Sequence, residues 1–466
     1  MLESIVLSIA LLIILHHWWS HRHHNGYPYV YSSIPFFGGS FHFRLGAVKC
    51  VQQWVKDYGT IFNVTVLGQP MTLIADSSLF PTISRNPKLS LLPLKLYMMR
   101  VGFGAVSYDQ LTSDVQIKIS ASTRKSINEQ LGRNKPSLEA INHASVVKLL
   151  EKLNLPTEPT KVCVYPWLNR ILFSTLMELF YGPDLATVDF QADFDAWDAK
   201  FTALYAGFPA RWLKVDGPRD RVKNHLREYA AKHLQDVSTV VQERLSICDT
   251  NGVQQIDKDG HQLSFVWAMT TNTIRTCFWT LVHLQNNPQA WKCIMNEISS
   301  NITDSTKWNR EEMDKCVYLD SAIKETLRVA LNSSAVRYAT EDLTLDFPDG
   351  RQLVMKEGDG LVMQSNIGYF DPERYTNPFC YKFDRFVEKP ELAKEFTPFG
   401  FGKYLCPGQY YAVDFVKIVV STLMLNAHIT DFGGSSEYKY NTVGVYVPIN
   451  PQAITMSIKK RQAASA

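Results

Sequence analysis

The sequence predicts a mainly helical protein with small β-sheets towards both ends of the chain. Helix-like runs dominate residues 113–331, whereas short strand-like runs lie at 61–75 and again at 428–458. The regular alternation of strands and helices that characterises parallel-sheet folds is missing. The 466 residues are 45% apolar, which is ample for a large core, and the net charge of +3 does not indicate nucleic-acid binding.

The first 24 residues predict a membrane anchor with its juxtamembrane segment, followed by one catalytic domain over residues 25–466. Ile5–Leu15 is a charge-free apolar run, shorter than the roughly 20 residues of a full span. Counting from Leu2 to Trp19, with tryptophans at the interface, allows a thin-bilayer span. Arg22 follows the run, which places the body in the cytosol. A cleaved signal peptide is the competing interpretation, but a basic leading region and an A-x-A-like cleavage site are both missing.

The following segments predict a helix, a hairpin and a less regular stretch. Leu45–Tyr58 is helix-like, and Gly68-Gln69-Pro70 separates the strand-like runs Ile61–Leu67 and Met71–Ala75. Leu89–Phe103 is apolar without a clear period, so it forms either core or a lid over an apolar pocket.

The C-terminal half predicts two further helices and a strand-rich tail. Gln262–Asn286 has the pattern of a long buried helix with polar residues in its middle, which need partners or a chemical role. A second helix runs from Glu311 to about Leu331. Strand-like pieces then surround a turn at Pro348-Asp349-Gly350, and His428–Ile458 closes the chain.

One cysteine stands in a setting suited to metal binding. Cys406 follows a glycine-rich turn and precedes the apolar run Tyr410–Leu425, so a thiolate there gains from the positive end of a helix. Gly402 and Gly408 allow close backbone approach, and Phe399 is placed to pack below a flat ring. A lone cysteine suits haem iron better than zinc, which takes several protein ligands. A buried free cysteine is the alternative. The other cysteines form no C-x-x-C pair, which indicates reduced thiols and a cytosol-facing protein.

A second pattern predicts a buried charge network. Glu325 and Arg328 lie three residues apart on one helix face, and Arg385 follows later in the chain. Two arginines around one glutamate can satisfy all three side chains through bidentate hydrogen bonds.

Together these motifs resemble the cytochrome P450 superfamily. Phe-x-x-Gly-x-x-x-Cys-x-Gly around Cys406, the Glu-x-x-Arg helix and the later Arg385 occur in that family's order. The run from Trp267 to Ile274, and the Tyr-Lys-Phe-Asp-Arg-Phe stretch at 381–386, are similar to the branch of sterol 7α-hydroxylases, oxysterol 7α-hydroxylase, sterol 12α-hydroxylase and prostacyclin synthase. The resemblance implies the cytochrome P450 fold, haem b as cofactor and Cys406 as the axial ligand of the haem iron.

The resemblance also implies roles for other residues. Asn272 stands where most members place a proton-relaying threonine, which implies a hydrogen bond to dioxygen or water; an ordinary polar helix residue satisfied by the backbone is the alternative. Thr271 takes the place of the usual acidic neighbour, which leaves the proton route open. Arg337 is the candidate clamp for a haem propionate, with a surface arginine as the alternative. The usual loop arginine is replaced by Tyr404, which leaves Lys403 or another residue to hold the second propionate. Arg275 departs from the proline usual in that branch.

The activity implied is monooxygenation of a bulky apolar substrate, either a sterol, an oxysterol or another terpenoid. Electrons come from a separate NADPH-cytochrome P450 reductase, because the chain has no room for a flavin domain. The implied location is the endoplasmic reticulum membrane, with the catalytic domain facing the cytosol. The alternative is an electron-independent isomerase or dehydratase acting on a lipid peroxide, as prostacyclin synthase does.

Overall fold

The computed structural model describes residues 8, 11, 15, 25–30, 47–66, 69–332, 334–440 and 442–461. The predicted anchor over residues 1–24 lies outside the described residues, apart from three positions. None of the helices described is long and apolar enough to cross a bilayer.

Helices make up most of the described chain, as predicted. Their bounds are α1 Ala47–Tyr58, α2 Phe80–Arg85, α3 Leu92–Val101, α4 Ser113–Leu131, α5 Pro136–Leu153, α6 Val164–Tyr181, α7 Val188–Asp198, α8 Phe201–Tyr205, α9 Asp216–Lys232, α10 Thr239–Thr250, α11 Gln255–Gln285, α12 Pro288–Asn301, α13 Arg310–Asp314, α14 Val317–Ala330, α15 Ser365–Tyr369, α16 Arg385–Glu388, α17 Leu392–Glu395 and α18 Gln409–Asn426.

The strands are short and lie mostly near the two ends of the chain and after α14. Their bounds are β1 Tyr29–Val30, β2 Ile61–Val66, β3 Gln69–Ile74, β4 Leu89–Ser90, β5 Thr160–Cys163, β6 Leu331–Asn332, β7 Ala335–Ala339, β8 Leu343–Asp346, β9 Gln352–Met355, β10 Gly360–Met363, β11 Ala427–Gly433, β12 Tyr438–Lys439, β13 Gly444–Val445, β14 Val447–Pro448 and β15 Thr455–Lys460.

The chain divides into two compact units. The first comprises the described residues up to Lys95 together with Asn332–Phe379 and Phe396–Leu405. It contains a six-stranded sheet in the order β1-β2-β3-β10-β7-β4. β2 and β3 pair antiparallel, which confirms the predicted hairpin. An apolar core that includes Ile74 and Leu361 lies within this unit.

The second unit comprises Leu96–Leu331, Cys380–Glu395 and the chain from Cys406 onward. Helix α11 packs against α6, α9, α14 and α18, so it forms the central element of this unit. The sheet β11-β15-β5 joins the strand-rich tail to β5. The prediction of one catalytic domain behind one anchor stays a prediction.

Helix α11 begins at Gln255, earlier in the chain than the apolar pattern predicts. Its first turns carry charged residues, which obscured the period, yet Asp257 and Asp259 are buried. Gly260 explains part of this burial, because a Cβ there would lie 2.9 Å from the Cβ of Ala105. Glycine therefore lets the segment that follows α3 pack closely on the helix.

Two other predicted segments differ in detail. The stretch from Leu89 to Phe103, for which core and lid were both open, forms the short strand β4 and helix α3, and Met99 and Phe103 are buried. The helix predicted from Glu311 is two helices, α13 and α14, with a break before Val317.

Candidate active site

Cys406 lies just before α18, as the sequence predicts, and its side chain is half-buried. The backbone N–H of Gly408 donates a hydrogen bond to the Cys406 sulfur. Burial raises the pKa of the Cys406 thiol, against the opposing effects of this hydrogen bond and of the positive charge of Arg124. A thiol that coordinates a metal ion loses its proton. The free protein therefore holds a thiol at this helix end, and iron binding would convert it to the thiolate.

The glycine-rich turn that precedes Cys406 belongs to the first unit. Gly402 has a φ of +63°, a left-handed conformation that glycine adopts without strain. A Cβ at Gly402 would lie 3.5 Å from the Cβ of Ser84. The ring of Phe401 stacks on that of Phe80, with 5.7 Å between the centroids and 10° between the ring planes. Phe399 is half-buried. Its packing below a ring stays a prediction.

Arg337, on β7, is a buried cation without an acidic partner among the described residues. Its exposed fraction is 2%. Nη1 donates to the carbonyl of Val336 at 2.7 Å, and the guanidinium lies 4.3 Å from the ring centroid of Tyr404. Nε is buried and makes no hydrogen bond within the part of the chain that the structure describes. Burial lowers the pKa of Arg337, although Tyr404 opposes this effect.

Tyr404 occupies the position where the resemblance to the cytochromes P450 implies an arginine. Its hydroxyl accepts a hydrogen bond from the Leu91 N–H at 3.1 Å, and the Nζ of Lys403 lies 5.3 Å from its ring centroid. Burial raises the pKa of Tyr404, but this hydrogen bond, a second from Ser90 and the nearby cations together bring it below its ordinary value. The phenol has a single O–H donor and no positive charge, so it cannot replace a guanidinium as the partner of a propionate.

These features fit haem b in two respects. A buried arginine with an unused donor needs an anion, because an unpaired charge is costly to bury, and haem carries two propionate carboxylates. The described residues include no cluster of three or more His, Cys, Asp or Glu able to hold a metal, and Cys406 is the cysteine that the sequence predicts as the ligand. One protein thiolate is what an iron with four porphyrin nitrogens takes below the ring.

The predicted charge network is present and fully buried. Nε and Nη2 of Arg328 donate to the two carboxylate oxygens of Glu325 at 2.7 and 2.8 Å. Nε of Arg385 donates to the same carboxylate at 3.0 Å, and so does the N–H of Lys382. The carbonyl of Cys380 accepts from both arginines. The network therefore joins α14 to the segment that leads into α16.

Asn272 lies near the middle of α11 with its amide orientation fixed. Its Oδ1 accepts a hydrogen bond from the N–H of Val445 at 3.0 Å. Gly444 packs against the same atom, because a Cβ there would lie 2.3 Å from Oδ1. The hydroxyl of Thr271 donates to the carbonyl of Trp267 at 2.7 Å, one helical turn back. The chemical roles of both residues stay predictions.

Arg275, for which the sequence offered no explanation, forms a buried ion pair. Its Nη2 lies 2.5 Å from Oδ2 of Asp198, at the end of α7, and Nη1 donates to the carbonyl of Val445 at 3.4 Å. Trp267 Nε1 donates to the other oxygen of Asp198 at 2.9 Å. Burial by itself lowers the pKa of Arg275, but Asp198 and Tyr165 bring it above its ordinary value.

Asp198, Gly444 and Val445 are the residues of this region that the sequence did not indicate. Asp198 ends a short helix without any motif, and Gly444 and Val445 lie in a strand of two residues. The departure at position 275 was the one available signal, because an arginine in an apolar helix needs an anion or hydrogen-bond acceptors around it.

Asp195, one turn before Asp198, makes the free energy of unfolding depend on pH. Burial and the negative charge of Asp198 raise the pKa of Asp195 to about 6, although Asn169 donates to its carboxylate at 3.0 and 3.2 Å. The unfolded chain ionises this group at about pH 4. Between these values the folded protein holds more protons, so the contribution of Asp195 to the free energy of unfolding falls as pH rises.

We therefore expect Asp195→Asn to raise the free energy of unfolding at about pH 7.5, by about 1–3 kcal/mol. The gain should vanish towards about pH 4, where the carboxyl is neutral in both states. Urea unfolding of both proteins across this pH range measures the difference. Asp189→Asn, an exposed site on the same helix, should change stability by less than about 0.5 kcal/mol at either pH. A gain independent of pH would contradict the assigned protonation of Asp195.

Comparisons with known proteins place these features in one family. Residues 28–456 match the model of the family "Cytochrome P450". The chain is 24% identical to cytochrome P450 7B1 of Mus musculus over 85% of this chain and 83% of that protein. It is 26% identical to the 25-hydroxycholesterol 7-alpha-hydroxylase of Rattus norvegicus over 73% of this chain and 88% of that protein. It is 23% identical to the 7-alpha-hydroxycholest-4-en-3-one 12-alpha-hydroxylase of Homo sapiens over 83% of each chain.

The family match covers nearly all of the described chain, and it includes the Cys406 loop, the Glu325 network and helix α11. The alignments with these similar proteins cover most of the length of each of them. The chain belongs to the cytochrome P450 family, in the branch of the sterol hydroxylases, and is a monooxygenase that uses haem b.

Proposed function

We propose that this monooxygenase hydroxylates a sterol or an oxysterol. The observation that carries the proposal is the shared chemistry of similar proteins, whose names specify cholesterol, 25-hydroxycholesterol and a cholestenone as substrates. We further propose that electrons come from a separate NADPH-cytochrome P450 reductase. In this proposal residues 1–24 anchor the enzyme in the endoplasmic reticulum membrane, with the catalytic domain in the cytosol.

In this proposal each candidate residue has a separate task. Cys406 binds the haem iron, with the Gly408 N–H directed at its sulfur, and Gly402 lets the turn come close. Arg337 holds a propionate with its unused Nε. Bound haem supplies dioxygen activation, which inserts one oxygen atom into a C–H bond and releases the other as water.

The residues of α11 would orient the reacting groups. Oδ1 of Asn272 is occupied by Val445, so the amide Nδ2 is the group that Asn272 can offer as a hydrogen-bond donor. The hydroxyl of Thr271 donates its proton to the Trp267 carbonyl, so towards other groups Thr271 can only accept a hydrogen bond. The Glu325–Arg328–Arg385 network supports the fold around α14 without touching the substrate.

A binding screen tests the proposed substrate class. The purified haem protein is titrated with cholesterol, 25-hydroxycholesterol, a plant-type terpenoid and an oxidised fatty acid, and the spin-state shift of the haem spectrum is recorded. We expect a shift with the sterols and product formation only when reductase and NADPH are both present. Turnover of a lipid peroxide without NADPH would overturn the monooxygenase assignment in favour of an isomerase or dehydratase.

A further inference from the structure

Three side chains on one face of α11 bind the backbone of consecutive residues near the C-terminus. Asn272, Arg275 and Trp279 are spaced three and four residues apart, so they lie on the same side of the helix. The N–H of Val445 donates to Asn272, and its carbonyl accepts from Arg275. Trp279 Nε1 donates to the carbonyl of Tyr446 at 2.7 Å. Both backbone groups of Val445 are therefore held by α11.

Close approach of this segment depends on a glycine. Gly444 has a φ of +78°, in the left-handed region, and a Cβ there would overlap the Asn272 oxygen at 2.3 Å. The segment 444–446, hereafter the Val445 segment, can thus reach Asn272 only because position 444 carries no side chain.

Arg275 is itself held in place from the other side. Asp198 accepts from Arg275 Nη2 at 2.5 Å and from Trp267 Nε1 at 2.9 Å. The side chains of Arg275 and Asp198 are 5% and 15% exposed. A charge-assisted pair in this buried setting restricts the guanidinium to one position, and that position directs Nη1 to the Val445 carbonyl.

We infer that Arg275 is a positioning residue, which with Asp198 holds the Val445 segment against α11 and thereby fixes the Asn272 amide with Oδ1 towards Val445 and the donor Nδ2 on its other side. The inference rests on the proposed function for the placement of Asn272 beside the haem. An asparagine amide can rotate to present either its oxygen or its nitrogen. The Val445 N–H removes this choice, because only Oδ1 can accept its proton.

The fixed orientation of the Asn272 amide has a consequence for proton delivery. A relay must accept one hydrogen bond and donate another. With Oδ1 held at Val445, Asn272 presents the donor Nδ2 on its other side, and Thr271 offers an acceptor, since its proton is held by the Trp267 carbonyl. The two side chains can orient a substrate oxygen or a water, but protons must then reach the reaction through water or a substrate hydroxyl.

The test uses the full haem-loaded chain and the double variant R275M/D198N. The double variant removes both charges at once, so neither partner is left buried alone, and the asparagine still accepts from Trp267. R221M/D193N is the matched control, since Arg221 on α9 and Asp193 on α7 form an ion pair with 2.5 and 2.7 Å contacts in which the Arg221 side chain is exposed. Amide hydrogen exchange of the Val445 segment is the first measurement.

Infrared spectroscopy of the reduced carbon monoxide complex is the second measurement. A donor beside carbon monoxide lowers the C–O stretching frequency, and an acceptor raises it. We expect one C–O stretching band in the wild type and one in R221M/D193N. R275M/D198N should show two bands, one for each amide orientation, and about tenfold faster exchange in the Val445 segment.

If R275M/D198N exchanges the amides of the Val445 segment at the wild-type rate and shows a single C–O stretching band, the role of Arg275 is wrong. Asn272→Leu separates this failure from that of the proposed function. If that variant leaves the band where it was, Asn272 does not lie beside the haem, and its catalytic placement is wrong. If it shifts the band while R275M/D198N does not, Asn272 is placed correctly and the positioning role of Arg275 is wrong.

Discussion

Cys406→Ala should abolish turnover and remove the thiolate-type absorption band of the reduced carbon monoxide complex. The reason is that Cys406 is the side chain placed before α18 with an N–H directed at its sulfur, and a methyl group cannot bind iron. The thiolate donates electron density that favours cleavage of the O–O bond, so residual haem bound without it should be inactive. The measurement is a difference spectrum with and without carbon monoxide, at matched haem content.

Two controls separate loss of the ligand from loss of the fold. Cys380→Ala removes an exposed cysteine and should keep the wild-type spectrum and activity. The apo form of Cys406→Ala should unfold within about 1 kcal/mol of the wild-type apo form, because only a half-buried thiol is lost. A retained thiolate band in Cys406→Ala would show that another cysteine binds the iron.

The position of this cysteine was accessible from the sequence because the relevant information is local. Gly402, Cys406, Gly408 and the apolar run that becomes α18 lie within a few residues of one another. The glycines that permit the turn and the residues that begin the helix can be identified from this short stretch. The same holds for Glu325 and Arg328, which a single helix brings together.

The environment of Asn272 could not be predicted, because it depends on distant parts of the chain. Val445 is separated from Asn272 by 173 residues. No pattern in a two-residue strand indicates which helix it contacts. Arg275 is similar, since Asp198 is separated from it by 77 residues. In both cases the sequence showed a polar residue in a buried helix but not its partner.

The beginning of α11 illustrates a different limit. Hydrophobic periodicity locates a helix by its apolar face, and Asp257 and Asp259 interrupt that face. The structure buries both aspartates, since Asp257 accepts from the Ser107 N–H at 3.0 Å and Asp259 pairs with Arg227 at 2.8 Å. Buried carboxylates with specific partners look like exposed polar residues in the sequence, so the predicted helix began too late.

Glu325→Ala should yield a poorly folded, haem-poor protein. Glu325 is fully buried and accepts hydrogen bonds from Arg328, from Arg385 and from the N–H of Lys382. Its removal leaves two buried guanidinium groups without a counter-ion. Breaking a buried pair in this way costs about 3–5 kcal/mol, a large part of the roughly 5–15 kcal/mol by which a typical domain is stable. Urea unfolding of the apo protein and the haem-to-protein ratio after expression are the measurements.

Glu139→Ala is the matched control for this variant. Glu139 also accepts two N–H groups of one arginine, Arg310, at 2.8 and 3.0 Å. The side chain of Glu139 is 37% exposed. Without it, Arg310 still has its ion pair with Asp414, where Nη2 lies 2.6 Å from Oδ2. We expect a loss of about 1 kcal/mol or less there. If Glu325→Ala unfolds at the wild-type urea concentration and binds one haem per chain, the arginines find other acceptors, and the network does not hold α14 to the segment before α16.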